Sequence, residues 1–547
     1  MCALCGFLFG CFVPASVDAQ DNKPFILPAA EPASPSTWLL GQPYGNTVGA
    51  YLRGADWYEA GQRLHFGIDL SMPCGTPLVA IGDGEVAFVD DRGFGSGPHN
   101  LLIRHPEPGL ISLYGHLLER PLLVPGQWVE QGQVVAYSGD PDETCDSRPH
   151  LHLEIRSLDY FTAYNPVDYI QADWHTLSLI GQFSAPTFQQ DLDNARQWMS
   201  IDDQPPVAFG GRALNAYAAT YPAWDQGSPP ANPPMLRATA PVPAAAPEAR
   251  RLAFDNCCAN PRWHPTEPGR LFLIDGAPEQ RAGIFEWDTV SGELVNLIGQ
   301  APPPHTSPDG THTLALSGGQ TVITQTLTGE SWSVETGGAL AALSADNSQL
   351  LWIVQGLVSL PGGEEPQNQV WISGARGENA RMIAAEAGLS AQWLDSARVM
   401  LSRRVILTTT IGVYDAAADQ AFVLGAWERV RALTVAPGGG RLMFYLAYQA
   451  DAAQDGVYVI ETQPNAQAEK LTWFGAWRWR DADSAYYIPF EPESPQQRIH
   501  LYHLNTGEDR RLIDNLMIAD GDWSVSADGR QIAYRNLADR TVWVLTF

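Results

Sequence analysis

Five side chains in the first third of the chain, His65, Asp69, His116, His150 and His152, are of the types that bind a transition metal or move protons near neutral pH. They fall in three short segments: His65-Phe66-Gly67-Ile68-Asp69, Tyr114-Gly115-His116-Leu117 and His150-Leu151-His152-Leu153-Glu154. In the last of these, the two-residue period of a strand puts His150, His152 and Glu154 on one face and turns Leu151, Leu153 and Ile155 into a core. Two imidazoles then stand side by side above a sheet, and His65 and Asp69 add a nitrogen and a carboxylate oxygen. Two nitrogens and one oxygen, with a fourth position open to water, is the ligand count of a catalytic zinc rather than a structural one. A single histidine on a strand is ordinarily a packed or surface residue; company changes the reading. His99, His105, His175, His264, His305, His312, His500 and His503 have no such companions and are expected to be ordinary. Glu154 is a candidate to orient one of its neighbours, with a solvated strand position as the expectation.

The elements that must hold these groups read as β-structure. Short alternating runs broken by glycine, such as 76–81, 84–89, 101–104, 111–114, 133–138 and 151–156, predict a compact antiparallel domain over residues 38–172. A signal-like segment (1–19) and a Pro/Ala-rich leader (20–37) precede it, with order expected from about Trp38. Residues 173–221 are mixed, with an amphipathic helix expected around Phe188–Met199. A Pro/Ala-rich spacer follows at 222–250. Beyond it, turns centred on Glu267, Asp309, Asp346, Asp395, Gly438, Asp483 and Asp528 recur at separations of 42, 37, 49, 43, 45 and 45 residues, each followed by an apolar run. That spacing is the length of a four-stranded propeller blade. Trp263, Trp393, Trp479 and Trp523 precede four of the turns, as a strand packed on the turn requires. The turns resemble those of TolB-like or WD-type propellers, which implies a roughly seven-bladed β-propeller over 251–547. The predicted fold class is therefore mainly β: an antiparallel β-core domain followed by a propeller.

Composition narrows the function classes. With 61 acidic against 33 basic residues the formal charge is −28, which repels a phosphate backbone and excludes nucleic acid as an expected partner. Residues Ala3 to Val13 form a short apolar run ahead of a small-residue stretch, the outline of an export signal, with a lipid-attachment box around Cys11 as the rival reading. No later stretch approaches the roughly 20 apolar residues of a spanning helix. Of seven cysteines, Cys74, Cys145, Cys257 and Cys258 lie outside the signal. Cys74 and Cys145 are placed to bridge two loops or to remain buried thiols, and the adjacent Cys257 and Cys258 are either a vicinal disulfide or two thiols.

Residues 41–169 resemble the lysostaphin-like, or LytM-type, zinc metalloendopeptidases. The likeness rests on the intact His65-x-x-x-Asp69 and His150-x-His152 motifs and on the framework runs Gly75-Thr76-Pro77-Leu78-Val79-Ala80, Gly82-Asp83-Gly84-Glu85-Val86 and Val129-Glu130-Gln131-Gly132-Gln133-Val134. It implies Zn2+ as the cofactor, held by His65, Asp69 and His152, with His116 and His150 as the catalytic pair. It further implies a peptidoglycan hydrolase that is secreted, cell-wall associated or periplasmic, with peptidoglycan peptides as partners. A protein or glycan partner is expected at the propeller and no membrane span in the mature chain. The stretch 139–149 ahead of His150 is longer and more acidic than the usual Gly/Ser/Thr-rich approach, which bears on substrate preference. Asn46, Trp57 and Tyr58 are candidates to line the groove. The alternative function is a non-catalytic cell-wall binding or hydrolase-activating protein, against which the intact ligand set argues.

Overall fold

A computed structural model describes residues 23–45, 47, 49–50, 62–181, 189–190, 198–211, 235, 247–252, 257–264, 266–275, 283–296, 305–360, 363–494 and 496–547. The first domain is built on one antiparallel sheet. Its main strands are β1 (Leu39–Gln42), β2 (Ile68–Ser71), β4 (Gly84–Val89), β5 (Leu101–His105), β6 (Leu110–Gly115), β7 (Trp128–Val129) and β9 (His150–Ser157), and the short strands Thr162–Tyr164 and Val207–Ala208 extend it from β9. The main strands run in the order β1-β2-β9-β6-β5-β4-β7, while β3 (Pro77–Val79) and β8 (Val134–Tyr137) form a separate pair. The strand β9 lies between β2 and β6 and so delivers its side chains to the middle of the sheet. Leu151, Leu153 and Ile155 are wholly buried among Ile68, Leu70, Leu101, Ile103 and Tyr114, while His150, His152, Glu154 and Arg156 take the opposite face. Gly67 lets β2 approach β9 at that point, because a Cβ there would lie 2.4 Å from the Leu153 carbonyl oxygen.

Seven four-stranded antiparallel sheets follow, the arrangement of a seven-bladed propeller. Each recurring turn read from the sequence joins the first and second strands of a blade. At three of them a Ser-x-Asp corner closes on itself, with Ser307, Ser344 and Ser526 hydroxyls donating to Asp309, Asp346 and Asp528. The four tryptophans lie on first strands, at 259–263, 389–393, 475–479 and 518–525. The strand Glu248–Arg251 pairs with Val542–Thr546, so the last blade is closed by residues from the other end of the domain.

Three expectations are corrected. Order begins before Trp38: Phe25 is buried against the His105 ring at 4.7 Å and bridges Ile170, because an aromatic side chain can fill a core gap even within a Pro/Ala-rich leader. The propeller begins inside the stretch assigned to the spacer, since Glu248–Arg251 is already strand; apart from Met235 and residues 247–250, the spacer lies outside the described residues. The two ends of the expected helix at Phe188–Met199 are strand, Gln189–Gln190 pairing with Trp198–Met199; the interior lies outside the described residues, as does the signal-like segment. Both disulfide alternatives resolve as bonds, Cys74–Cys145 and Cys257–Cys258. Among the described residues no helix is long and apolar enough to cross a membrane.

The connecting segment docks onto the propeller through a buried histidine. His175 lies 3.3 Å from Asp520 Oδ1 and 3.5 Å from Asp202 Oδ2, and Arg540 reaches Asp203 at 2.6 Å. Burial opposes the charge on His175, but the two carboxylates outweigh it and raise its pKa from 6.5 to about 10. The contribution is therefore complete below the ordinary histidine value and fades as pH rises towards 10. Asp202, held well below the usual carboxylate range by His175 despite burial, sets the acid limit beneath pH 4. The melting temperature of the wild-type chain is expected to fall between pH 7 and 10 by roughly 2–4 °C more than that of His175→Gln. Parallel curves would show that the contact carries no such linkage.

Candidate active site

On the polar face of the sheet, three ligand-type atoms converge. His65 Nε2 lies 3.1 Å from Asp69 Oδ1 and 3.1 Å from His152 Nδ1, and His152 Nδ1 lies 2.9 Å from Asp69 Oδ1. Four ligands at zinc distances of roughly 2.0–2.1 Å in a tetrahedron stand about 3.3 Å apart, so the triangle is close to the right size for one ion. The far ring nitrogens fix the tautomers. His65 Nδ1 donates to the Pro43 carbonyl at 2.8 Å and His152 Nε2 donates to Glu154 Oε1 at 3.0 Å. With those protons in place, the nitrogen of each ring that faces Asp69 is the one left to serve as a ligand, once the proton it shares with that carboxylate is released on metal binding. That donor set, two imidazole lone pairs and a carboxylate, fits a zinc ion.

Two more histidines border this triangle and are anchored in the same way. His116 Nδ1 donates to the Gly97 carbonyl at 2.5 Å, and His150 Nδ1 to the Arg148 carbonyl at 2.7 Å. Their rings are 4.7 Å apart, and His150 Nε2 stands 3.7 Å from Asp69 Oδ1. The position of His116 follows from the backbone: it comes directly after β6 at φ 56°, a left-handed conformation uncommon for non-glycine residues and concentrated at functional sites. All five predicted residues meet in one place, and none of the eight histidines set aside lines it.

The electrostatics separate the two groups. Burial opposes ionisation of Asp69, but His65 and His150 beside it and the bonds from His152 hold its carboxyl well below the usual range. Burial also opposes charge on His152, yet Asp69 and Glu154 raise its pKa to about 9; the same two carboxylates that would bind a proton there favour a cation. His116 is lowered to about 3 by burial and by His150 and His152, and burial lowers His150 as well. Both are unprotonated at pH 7, and with Nδ1 held by a carbonyl the nitrogen left to exchange a proton is Nε2.

Glu154 departs from its expected solvated position. It is buried, bonded to His152 and to Arg156 Nε at 2.6 Å, because Arg156 occupies the next position on the same strand face and neutralises it. The alternation that placed His150 and His152 together also contained this signal. Asn46, Trp57 and Tyr58 lie outside the described residues. The acidic stretch before His150 is a fixed loop: buried Asp140 accepts from the Ser147 and Arg148 amides at 3.2 and 3.1 Å, and the Cys74–Cys145 bond ties it to the turn after β2. The loop forms one rim of a cleft of about 2300 Å3, and the far wall comes from the propeller.

Residues 63–168 match Peptidase family M23. Glycyl-glycine endopeptidase ALE-1 of Staphylococcus capitis is 28% identical over 153 residues, 28% of this chain and 40% of that protein. The uncharacterized lipoprotein YgeR of Escherichia coli is 36% identical over 115 residues, 21% of this chain and 42% of that protein. The DD-carboxypeptidase/endopeptidase Mpg of Neisseria meningitidis is 37% identical over 94 residues, 17% of this chain and 20% of that protein. The chain thus spans less than half the length of each of these relatives, and the aligned stretches cover less than a third of it.

Proposed function

Because residues 63–168 form a peptidase family M23 domain, we propose that the chain is a zinc metalloendopeptidase that hydrolyses peptide bonds in peptidoglycan. The observation that carries the reading is the convergence of His65 Nε2, Asp69 Oδ1 and His152 Nδ1 within 3.1 Å, with both tautomers fixed by the far ring nitrogens. The activities named for the relatives in Staphylococcus capitis and Neisseria meningitidis support the substrate class. The disulfides and the likeness to a lipoprotein support export to an oxidising compartment at the cell surface.

In this mechanism His65, Asp69 and His152 would hold the ion. Zinc bound there supplies Lewis acidity to a carbonyl oxygen and lowers the pKa of water towards about 7. The neutral His116 and His150 do the proton work: an Nε2 lone pair takes a proton from the attacking water, and the imidazolium formed donates to the tetrahedral oxyanion or the departing amine. Their anchors to the Gly97 and Arg148 carbonyls keep both rings aimed into the cleft while the proton moves. No covalent acyl-enzyme is required. Purified peptidoglycan incubated with the zinc-loaded chain is expected to release new amino groups. Binding without release would favour the non-catalytic reading.

Glu154→Gln tests the orienting contact. The amide still accepts from His152 Nε2 but loses the charge beside Arg156, and zinc affinity is expected to fall about 10- to 100-fold. Competition with a chromogenic chelator measures it, and unchanged affinity would remove Glu154 from the site.

A further inference from the structure

We propose that the propeller supplies an anion subsite to this cleft, formed by Arg404, Arg429 and Arg431, which selects peptides carrying a free carboxylate close to the scissile bond. The inference rests on the peptidase reading of the cleft and adds the chemistry of what is held there. One wall of the cleft carries His65, Asp69, His116, His150 and His152, and the facing wall carries the three arginines.

The two walls touch beside the metal ligands. Arg431 Nη2 donates to Ser71 Oγ at 3.1 Å, and the Tyr448 hydroxyl donates to the Ser71 carbonyl at 2.6 Å. Ser71 lies two residues from Asp69 on β2, hence on the same face, and is the cross-strand partner of His150. The guanidinium of Arg431 is therefore placed at the edge of the reactive centre.

Charge makes the cluster unusual. In a chain of net charge −28, a basic wall should attract acidic partners from the protein itself. Among the described residues, however, none of the three arginines makes an ion pair. Arg404 Nε donates to the Ile406 carbonyl at 3.0 Å, Arg429 Nη1 to the Tyr448 carbonyl at 2.5 Å, and Arg431 lies over the Tyr448 ring at 5.4 Å. Carbonyls and a ring orient a guanidinium without pairing it, and although the Asp455 carboxylate acts on Arg429 beyond ion-pair distance, N–H donors remain in the fork geometry that suits a carboxylate.

The backbone of this wall is strained where the cluster forms. Ile406, Arg429 and Ala432 adopt φ of 53°, 53° and 51°, and the strand Val430–Val435 carries a bulge between Arg431 and Thr434. Left-handed non-glycine residues cost on the order of 1 kcal/mol or more each and concentrate at ligand-binding sites, and bulges re-aim side chains. The 139–149 loop brings Asp142, Glu143 and Asp146 to the same cleft, together with Arg148, so the arginines of the propeller side are not the only charged groups a bound peptide would meet. A peptide that carries a carboxylate can use the three arginines, whereas an uncharged oligoglycine segment cannot.

The test compares two cross-linked stem peptides that differ only in a D-isoglutamyl α-carboxylate or its α-amide. The full-length zinc-loaded chain is expected to prefer the carboxylate by about 10- to 100-fold in kcat/KM, mostly through KM. In Arg431→Gln and in Arg404→Gln the ratio is expected to move towards one, with Arg431→Lys recovering part of it. Calorimetric binding of both peptides is measured in parallel. Carboxylate-selective binding lost in Arg431→Gln, without hydrolysis of either peptide, would support the subsite and overturn the peptidase reading. Equal affinity and equal rates for the two peptides in the wild-type chain would overturn the subsite. Arg404 is exposed and its replacement leaves the core untouched, so the ratio stays measurable if Arg431→Gln fails to fold.

Discussion

His152→Ala is expected to remove bound zinc and to lower kcat/KM by at least on the order of 10^3-fold, since the ion's Lewis acidity contributes several kcal/mol and each 1.36 kcal/mol is tenfold in rate. The effect should exceed that of any other single change because His152 joins two systems. Its Nδ1 completes the triangle with His65 and Asp69, and its Nε2 is held by Glu154, itself held by Arg156. Alanine leaves Asp69 without a hydrogen bond that keeps it ionised and leaves Glu154 short of a donor in a buried position. Some loss of stability should accompany the loss of metal, so circular dichroism belongs beside the zinc measurement. A folded His152→Ala chain with full zinc content would contradict the ligand assignment.

His116→Ala is expected to behave differently: zinc retained, KM little changed, and kcat reduced about 10^2- to 10^4-fold. His116 stands outside the ligand triangle, anchored by Gly97 on the far side, and its ring is 5.8 Å from that of His152, against 4.9 Å between His65 and His152. Nothing in the triangle depends on it. His150→Ala should show the same pattern, and the double variant should lose less than the product of the two if both rings serve one proton's path. Zinc lost together with activity in His116→Ala would instead place His116 among the ligands.

The parts of the site legible in the sequence were those governed by local periodicity. The alternation of β9 brought His150 and His152 to one face, and the His65-x-x-x-Asp69 spacing placed a second pair at the start of an adjacent strand. Blade turns were legible because turn residues recur every 37 to 49 residues, each followed by an apolar run. The anchors that set the tautomers were not, since Pro43, Gly97 and Arg148 act through backbone carbonyls that carry no residue-type signal. Glu154 was placed on the correct face but expected in water, because its burial depends on packing that no local pattern encodes. The arginine wall was invisible for a stronger reason: Arg431 and Ser71 are 360 residues apart, and only the docking of two domains brings them together. The helix expected at Phe188–Met199 failed where amphipathic spacing competed with a short hairpin pairing.

The measurement that bears most directly on the proposed activity is the zinc stoichiometry of the full-length chain, taken together with amino-group release from purified peptidoglycan. The predicted result is about one zinc per chain, with release abolished by a chelator and restored when zinc is returned. A folded chain that binds zinc and releases nothing, or that releases amino groups equally well after complete removal of metal, would contradict it.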